Sequence, residues 1–416
     1  MPLKLPHQQL LAIAQWCTFA TPLACAVSRF AADVLLVITA VLFLVHAIAT
    51  RQSDWLKSSW VKIALVLWGY VVLRGFFAED MLSSLGRGLS WGRFPVFAAA
   101  LVYWVLHDEK SFHRMIISLS VAVGFMLLDT ALQYFAGHDI LGYASIPAEG
   151  SPRLTGPFSS PRVGIMLIWM GIPVLSYWLM DAQGKTRKDK TVLLGAAFAV
   201  GLLSVIFMSG ERMALLLTGL SFVIAFFLLP VSKWLMMGIG VISAACVLLL
   251  AYTNPGLVQR QMGSTSEVVG EFSGSYYGQI WQSGMAMIND HPAFGVGLRQ
   301  FRVLCPRADY GPTDNIAVRC NIHPHNIYLE WAVEAGLLGL SLFLGLISLW
   351  LRLAWQHVRE LRYHPVFVGL LITLFIRLWP LATTTSFFTA WSAVPMWLMA
   401  GWLLAIIHHH RKEHLR

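Results

Sequence analysis

Long apolar runs separated by short polar joints make up most of the chain. A helix needs about 20 mostly apolar residues to cross a hydrocarbon core. With that window, twelve runs predict spanning helices: residues 10–27, 30–50, 61–78, 94–107, 115–137, 163–180, 191–209, 213–230, 234–253, 327–351, 366–385 and 387–407. The fourth is short and the pair flanking Arg212 lies close together, so a count of ten or eleven also fits. No small-residue cleavage site ends the first run, which predicts a retained signal anchor. One hydrophilic stretch, 254–324, interrupts the pattern. Inside it Tyr277, Ile280, Trp281, Gly284, Met285 and Ile288 recur at helical spacing, predicting an amphipathic helix with one face toward lipid or the bundle. The expected fold is an all-α polytopic membrane protein of about twelve transmembrane helices with one long, helix-containing periplasmic loop. It divides into 1–253, 254–324 and 325–416.

Composition agrees. Hydrophobic residues make up 57% of the chain and charged residues only 12%, about half the share a soluble surface needs. An ordinary cytosolic enzyme, a disordered chain and a disulfide-built secreted domain are excluded. The net charge of +9 therefore concerns membrane sidedness rather than nucleic acid.

With the N-terminus inside, the basic runs 184–190, 352–362 and 408–416 fall on the inner side, while 79–93, 137–162, 210–212 and 254–324 fall outside. All nine lysines are then inner, with eight arginines, and the other thirteen arginines lie in or near the outer loops. Positive-inside bias accounts for the lysines but gives no reason for outer cations to be arginine alone. Arginine offers a planar fork that binds phosphate oxygens bidentately, so the split predicts an outward-facing site for a phosphorylated anion. The competing explanation is compositional, since arginine outnumbers lysine 21 to 9.

Among the cysteines, Cys17, Cys25 and Cys246 lie within spans, as apolar fillers. Cys305 and Cys320 share the long loop, sixteen positions inclusive. In an oxidising periplasm a bridge between them would add about 3 kcal/mol; two free thiols are the alternative.

Three polar segments stand out. Arg153 to Arg162 is a turn rich in Gly, Pro and Ser, opening a helix whose positive end favours anions; a solvated loop with anchoring arginines is the alternative. Ser209-Gly-Glu-Arg212 is a tight corner between spans, where an arginine needs a partner unless it merely solvates the turn. Asn321-Ile-His-Pro-His-Asn-Ile-Tyr-Leu-Glu330 leads into a span. Its His323 and His325 lack the third ligand of a metal site. At a helix start the dipole favours neutral imidazole, suited to a general base; interfacial capping is the alternative. Glu330 and Glu334 in the same apolar helix predict pairing with Arg212 or Arg377, or orientation of the base. Arg377 itself is embedded in an apolar run, a functional candidate with structural ion pairing as its rival.

The third segment also carries a resemblance. His325-Asn326, nine residues, Gly336, two residues and Gly339 resembles the signature of the O-antigen ligase, O-antigen polymerase and O-oligosaccharyltransferase superfamily. His291-Pro-Ala-Phe-Gly-Val-Gly297, Arg153-x-x-Gly-Pro-Phe and the Arg212 corner are similar to family segments too, so the likeness covers most of the chain from about Arg153 onward. Two positions depart. Gly278-Gln279-Ile280 precede Trp281 where relatives carry an arginine, leaving Arg260 to supply that charge, and Arg162 stands where Asn is common.

The resemblance implies periplasmic glycosyl transfer in the bacterial inner membrane, from undecaprenyl-pyrophosphate-linked glycan to lipid A-core. His325 would be the general base, supported by His323, Asn326 and Glu330. Arg153, Arg162, Arg212, Arg260 and Arg377 would bind the pyrophosphate in place of a metal, with no cofactor and no nucleic-acid partner. One base without a carboxylate nucleophile implies inversion at the anomeric carbon. Within the superfamily a polymerase or a protein glycosylase is the alternative, the second disfavoured by the short tail after the last span. From another class, a lipid-linked glycan flippase or secondary transporter is the alternative; it predicts broken helices and inverted repeats.

Overall fold

The computed structural model describes residues 7–184, 188–270 and 272–414, so that Lys4, Lys185, Arg187 and Arg416 of the expected inner-side set lie outside the described residues. Among the described residues the chain is helical without a strand; the only extended pairings are the bridges His138–Ala144 and Ile146–Arg153. The order begins with α1 (His7–Val27), α2 (Arg29–Ala49), α3 (Asp54–Lys57), α4 (Ser59–Gly75), α5 (Met81–Trp91) and α6 (Arg93–Ala100). It continues with α7 (Glu109–Ala136), α8 (Val163–Gly184), α9 (Lys188–Met208), α10 (Arg212–Leu228) and α11 (Lys233–Thr253). The hydrophilic stretch folds as α12 (Pro255–Gly270), α13 (Tyr276–Asp290), α14 (Phe301–Leu304) and α15 (Ile316–Arg319). The chain ends with α16 (Ile327–Leu361), α17 (Phe367–Arg377) and α18 (Ala390–His414).

Among the described residues seven helices (α1, α2, α7, α8, α11, α16 and α18) are long and apolar enough to cross a membrane. Shorter apolar helices accompany them at Val192–Met208, Arg212–Leu228 and Phe367–Arg377. The protein is an all-α polytopic membrane protein. α18 is buried along nearly its whole span, whereas α11 exposes almost all of its own. Trp234, Val241, Leu248 and Tyr252 stand outward from α11, as expected of a helix facing lipid.

Two runs depart from the expected spans. The run at 94–107 is the eight-residue α6 continued by a π turn, Leu101–Val105. The run at 366–385 stops at Arg377, because Pro380 has no N–H and disfavours helix at the residue before it. Residues 378–389 are irregular instead. Their freed carbonyls find partners: Leu378 accepts from the Tyr328 hydroxyl at 2.5 Å and Pro380 from the Asn326 amide at 2.7 Å.

α16 breaks at Gly336 (φ 68°, ψ −177°), a backbone region almost restricted to glycine. The break admits the 291–297 turn. Val296 and Gly297 N–H donate to the carbonyls of Val333 and Glu334, while Leu337 and Leu338 N–H donate to those of Pro292 and Ala293. A Cβ on Gly336 would strike the Ala293 carbonyl. From α4, Arg74 donates to the Phe294 and Gly295 carbonyls and Tyr70 to that of Ala335 at 2.6 Å. Gly295 and Gly336, 41 residues apart in the chain, thus stand on two sides of one joint.

The hydrophilic stretch has its own core: Ile280, Met287, Phe301, Leu304 and Tyr310 pack on Val333 of α16. Cys305 and Cys320 are joined by a disulfide, Cα atoms 5.7 Å apart. The α13 face differs from the expected one. Ile280, Ser283, Gly284 and Met287 are buried while Met285 is exposed, because the helix lies on α15 and α16 and seats Gly284 against Leu329. α12 was not foreseen; its apolar residues are too sparse to mark a face.

Candidate functional site

Asn326 caps α16: its side-chain oxygen accepts from the N–H of Tyr328 and Leu329 at 3.0 and 3.1 Å. With its amide on Pro380, both ends of this side chain are engaged in positioning the backbone. His325, just before the cap, has φ +58°, a left-handed conformation rare for a side-chain-bearing residue. Thr384 holds it there, donating its N–H to the His325 carbonyl at 2.8 Å and accepting from His323 Nε2 at 2.9 Å. The two imidazoles stand 4.2 Å apart, with Tyr277 5.8 Å and Tyr276 6.3 Å from His325. His323 Nδ1 and His325 Nε2 are both buried without a hydrogen-bond partner.

Burial lowers the pKa of each histidine to about 4. For His325 the neighbouring His323 adds to this, and for His323 the charge of Arg302 does so. Both rings are therefore neutral at pH 7, and desolvation, rather than the helix dipole expected from the sequence, is the first cause.

Glu330 and Glu334 are buried one turn apart, and backbone N–H groups hold them. Glu330 accepts from Phe387 at 2.7 Å and lies within electrostatic reach of Arg377. Glu334 accepts from Arg299 and Phe301 and is near Arg302. Of the two arginines expected as partners, Arg377 is the one near Glu330, and among the described residues no ion pair joins either carboxylate to Arg212.

The arginines divide. Arg212 Nε donates to the Arg260 carbonyl at 2.9 Å, and Arg260 lies within electrostatic reach of both Arg153 and Arg212. Gly210 (φ +71°) makes this approach possible: a Cβ there would sit 3.2 Å from the Arg260 side chain. Burial, then repulsion from Arg153 and Arg212, lowers the Arg260 pKa. The Nε atoms of Arg153 and Arg260 are buried without a hydrogen-bond partner. Arg260 thus stands within electrostatic reach of two other guanidinium groups, and the cluster keeps two unpaired donors, one on Arg153 and one on Arg260.

Arg162 turns elsewhere, donating to Ser160 at 3.0 Å and stacking on Trp391 at 4.9 Å. Arg377 is fully buried over Trp169 at 4.6 Å and donates to Ser392. Thr373, Leu374, Pro395, Met396 and Met399 complete its apolar surroundings, and its Nε and Nη1 are buried without a hydrogen-bond partner. The expected anion site at the start of α8 is corrected, because the chain's own Glu211 carboxylate accepts from Gly164 and Ile165 N–H there.

Among the described residues no hydrogen bond, ion pair or ring contact joins the arginine group to the histidines. The 378–391 segment meets the histidines through Thr384 and the 153–162 turn through Trp391, which contacts Arg162 and Phe158. Thr384, Arg299, Arg302 and the two tyrosines were missed by sequence reasoning. The three threonines interrupting an apolar run were the available signal for the first.

Among the described residues, the one group of three side chains placed to share a metal is Glu360, His410 and His414. It lies at the far end of α16 from His325, on exposed and half-buried surface.

Fold and site together define a polytopic membrane protein with a buried neutral histidine pair and a separate arginine cluster. The O-antigen ligase family matches residues 196–344 and supports assignment of the chain to the O-antigen ligase superfamily. The matched stretch contains Arg212, Arg260, His323, His325 and the Gly336 break, and leaves Arg153, Arg162 and Arg377 outside. It indicates glycosyl transfer of the O-antigen ligase or polymerase type. No match was found among curated proteins.

Proposed function

We propose that the protein is an O-antigen ligase of the bacterial inner membrane, moving a glycan from undecaprenyl pyrophosphate to lipid A-core on the periplasmic face. One observation carries this reading. A buried, unprotonated His325 with a free Nε2 shares the molecule with a three-arginine cluster in which Arg153 and Arg260 each keep an unpaired Nε donor.

The acceptor hydroxyl oxygen attacks the anomeric carbon and its proton passes to His325 Nε2. The bond between the anomeric carbon and the phosphate oxygen breaks, and lipid pyrophosphate leaves. Arg153, Arg212 and Arg260 neutralise the charge that develops on it, work a divalent metal does in many soluble glycosyltransferases. Attack opposite the leaving group inverts the anomeric carbon. The polyprenyl tail follows the exposed apolar surface of α11, which leads directly into the helix carrying Arg260. His323 and Asn326 position the base through Thr384 and Pro380.

Purified protein supplied with lipid-linked glycan and rough lipopolysaccharide tests this. A ligase builds a product ladder on lipid A and remains active after exhaustive EDTA treatment. Lengthened lipid-linked repeats would mark a polymerase, dependence on a peptide acceptor a protein glycosylase, and no covalent product a flippase or transporter. Activity lost with EDTA and restored by a divalent ion would overturn the metal-free mechanism.

A further inference from the structure

A cavity of about 520 Å³ opens between α13 and the 309–319 segment, a volume suited to a small-molecule ligand. Its walls are unusual for such a site: Gln279, Gln282, Ser283 and Asn315 supply amides and a hydroxyl. Hydrogen bonds hold these groups in place. Gln279 donates to the Gly274 carbonyl at 2.9 Å and accepts from the Asn315 amide, and Gln282 donates to the Ser273 carbonyl at 3.2 Å. The carbonyl oxygens of Gln282 and Asn315 are left as acceptors.

The cavity is poorly suited to an anion. Arg319 lines it but spends its donors on the carbonyls of Pro312, Cys305, Tyr310 and Arg307. Asp309, the other charged residue there, repels negative charge. Amide and hydroxyl groups without free cationic charge match a neutral polyhydroxylated ligand. The position fits as well. Tyr276 and Tyr277 of α13 meet His325, and Gln282 lies about 7.5 Å further along the helix axis from Tyr277.

We propose that this cavity is a glycan subsite that holds neutral sugar residues away from the reacting centre. The proposal rests on the glycosyl-transfer reading of His325 and deepens it: the site grips the polysaccharide as well as its pyrophosphate.

The test uses the full-length protein in nanodiscs and a phosphate-free neutral oligosaccharide of two repeat units released from O-antigen. Binding is read by saturation-transfer NMR, with inorganic pyrophosphate as competitor. Wild type is expected to bind the oligosaccharide with no displacement by pyrophosphate, and Gln282→Trp, which fills the cavity, to weaken binding at least tenfold. A Gln282→Ala variant, which removes only the amide, should weaken it less. Equal affinity in wild type and Gln282→Trp, no binding by wild type, or displacement by pyrophosphate would overturn the proposal. If oligosaccharide binding is lost in Gln282→Trp while wild type makes no transfer product, the subsite stands and the ligase reading fails.

Discussion

The Glu211 carboxylate accepts a 2.8 Å hydrogen bond from the backbone N–H of Gly164. A corner between α9 and α10 thereby caps α8, through a residue 47 positions earlier in the chain. The positive end of α8 looks from sequence like a place for substrate phosphate, yet the protein already fills it. Glu211→Ala strips two buried N–H groups of their acceptor and is expected to lower unfolding free energy by about 1–3 kcal/mol. Glu211→Gln keeps an acceptor and should lose less. Thermal unfolding in detergent compares them; equal midpoints for wild type and Glu211→Ala would remove the cap.

Arg212→Ala should raise the KM for lipid-linked donor about tenfold, and Arg212→Lys should not restore it, because an ammonium lacks the guanidinium fork. Arg377→Lys makes a contrast. It should lower the unfolding temperature while leaving donor KM unchanged in the protein that folds. A donor KM that follows Arg377 but ignores Arg212 would reverse the assignment.

His325→Ala should abolish transfer and leave donor binding largely intact. Proton linkage adds a second readout. The folded-state pKa of His323 and His325 is about 4, below the roughly 6.5 of an unfolded imidazole. Between these values the unfolded chain binds more protons, so stability is complete above about pH 6.5 and declines as pH falls toward 4. Unfolding midpoints recorded across that window should slope in wild type and slope less in a His323→Gln, His325→Gln double variant, the remainder coming from groups such as His364, whose pKa burial also lowers to about 4. The base itself should remain active well below pH 6.5.

Gly336→Ala places a Cβ against the Ala293 carbonyl in a conformation only glycine adopts with ease. The expected cost is about 1–3 kcal/mol or more, with activity lost as the 291–297 turn leaves its seat. Wild-type-like unfolding and turnover in this variant would show that α16 can straighten.

Replacing Cys305 with Ser opens the loop disulfide and should cost about 3 kcal/mol. Because this loop carries α13, which meets His325 through two tyrosines, transfer should fall more steeply on warming than in wild type. Heat-inactivation curves at matched temperatures decide it.

Much of the architecture was legible in one dimension. Apolar runs reveal helices because a span must bury its backbone polar groups within itself, a local requirement. The His325-Asn326 motif and its glycine pair were equally readable, since each is a short contiguous pattern. The surroundings of Arg377 were not legible, because an arginine in an apolar run has the same sequence signature whether it faces a substrate or packs over Trp169.

Sequence by itself determined that this chain is a helical membrane protein, where its apolar helices lie, and which histidines and arginines are chemically notable. Tertiary structure alone decided which arginines meet, that Glu211 occupies the helix end, that Thr384 holds both histidines, and that the 291–297 turn enters α16 at Gly336. The physical reason is range. Helix formation and desolvation of apolar runs are set by neighbours along the chain, whereas a guanidinium's partners and an imidazole's burial come from segments tens to hundreds of residues away.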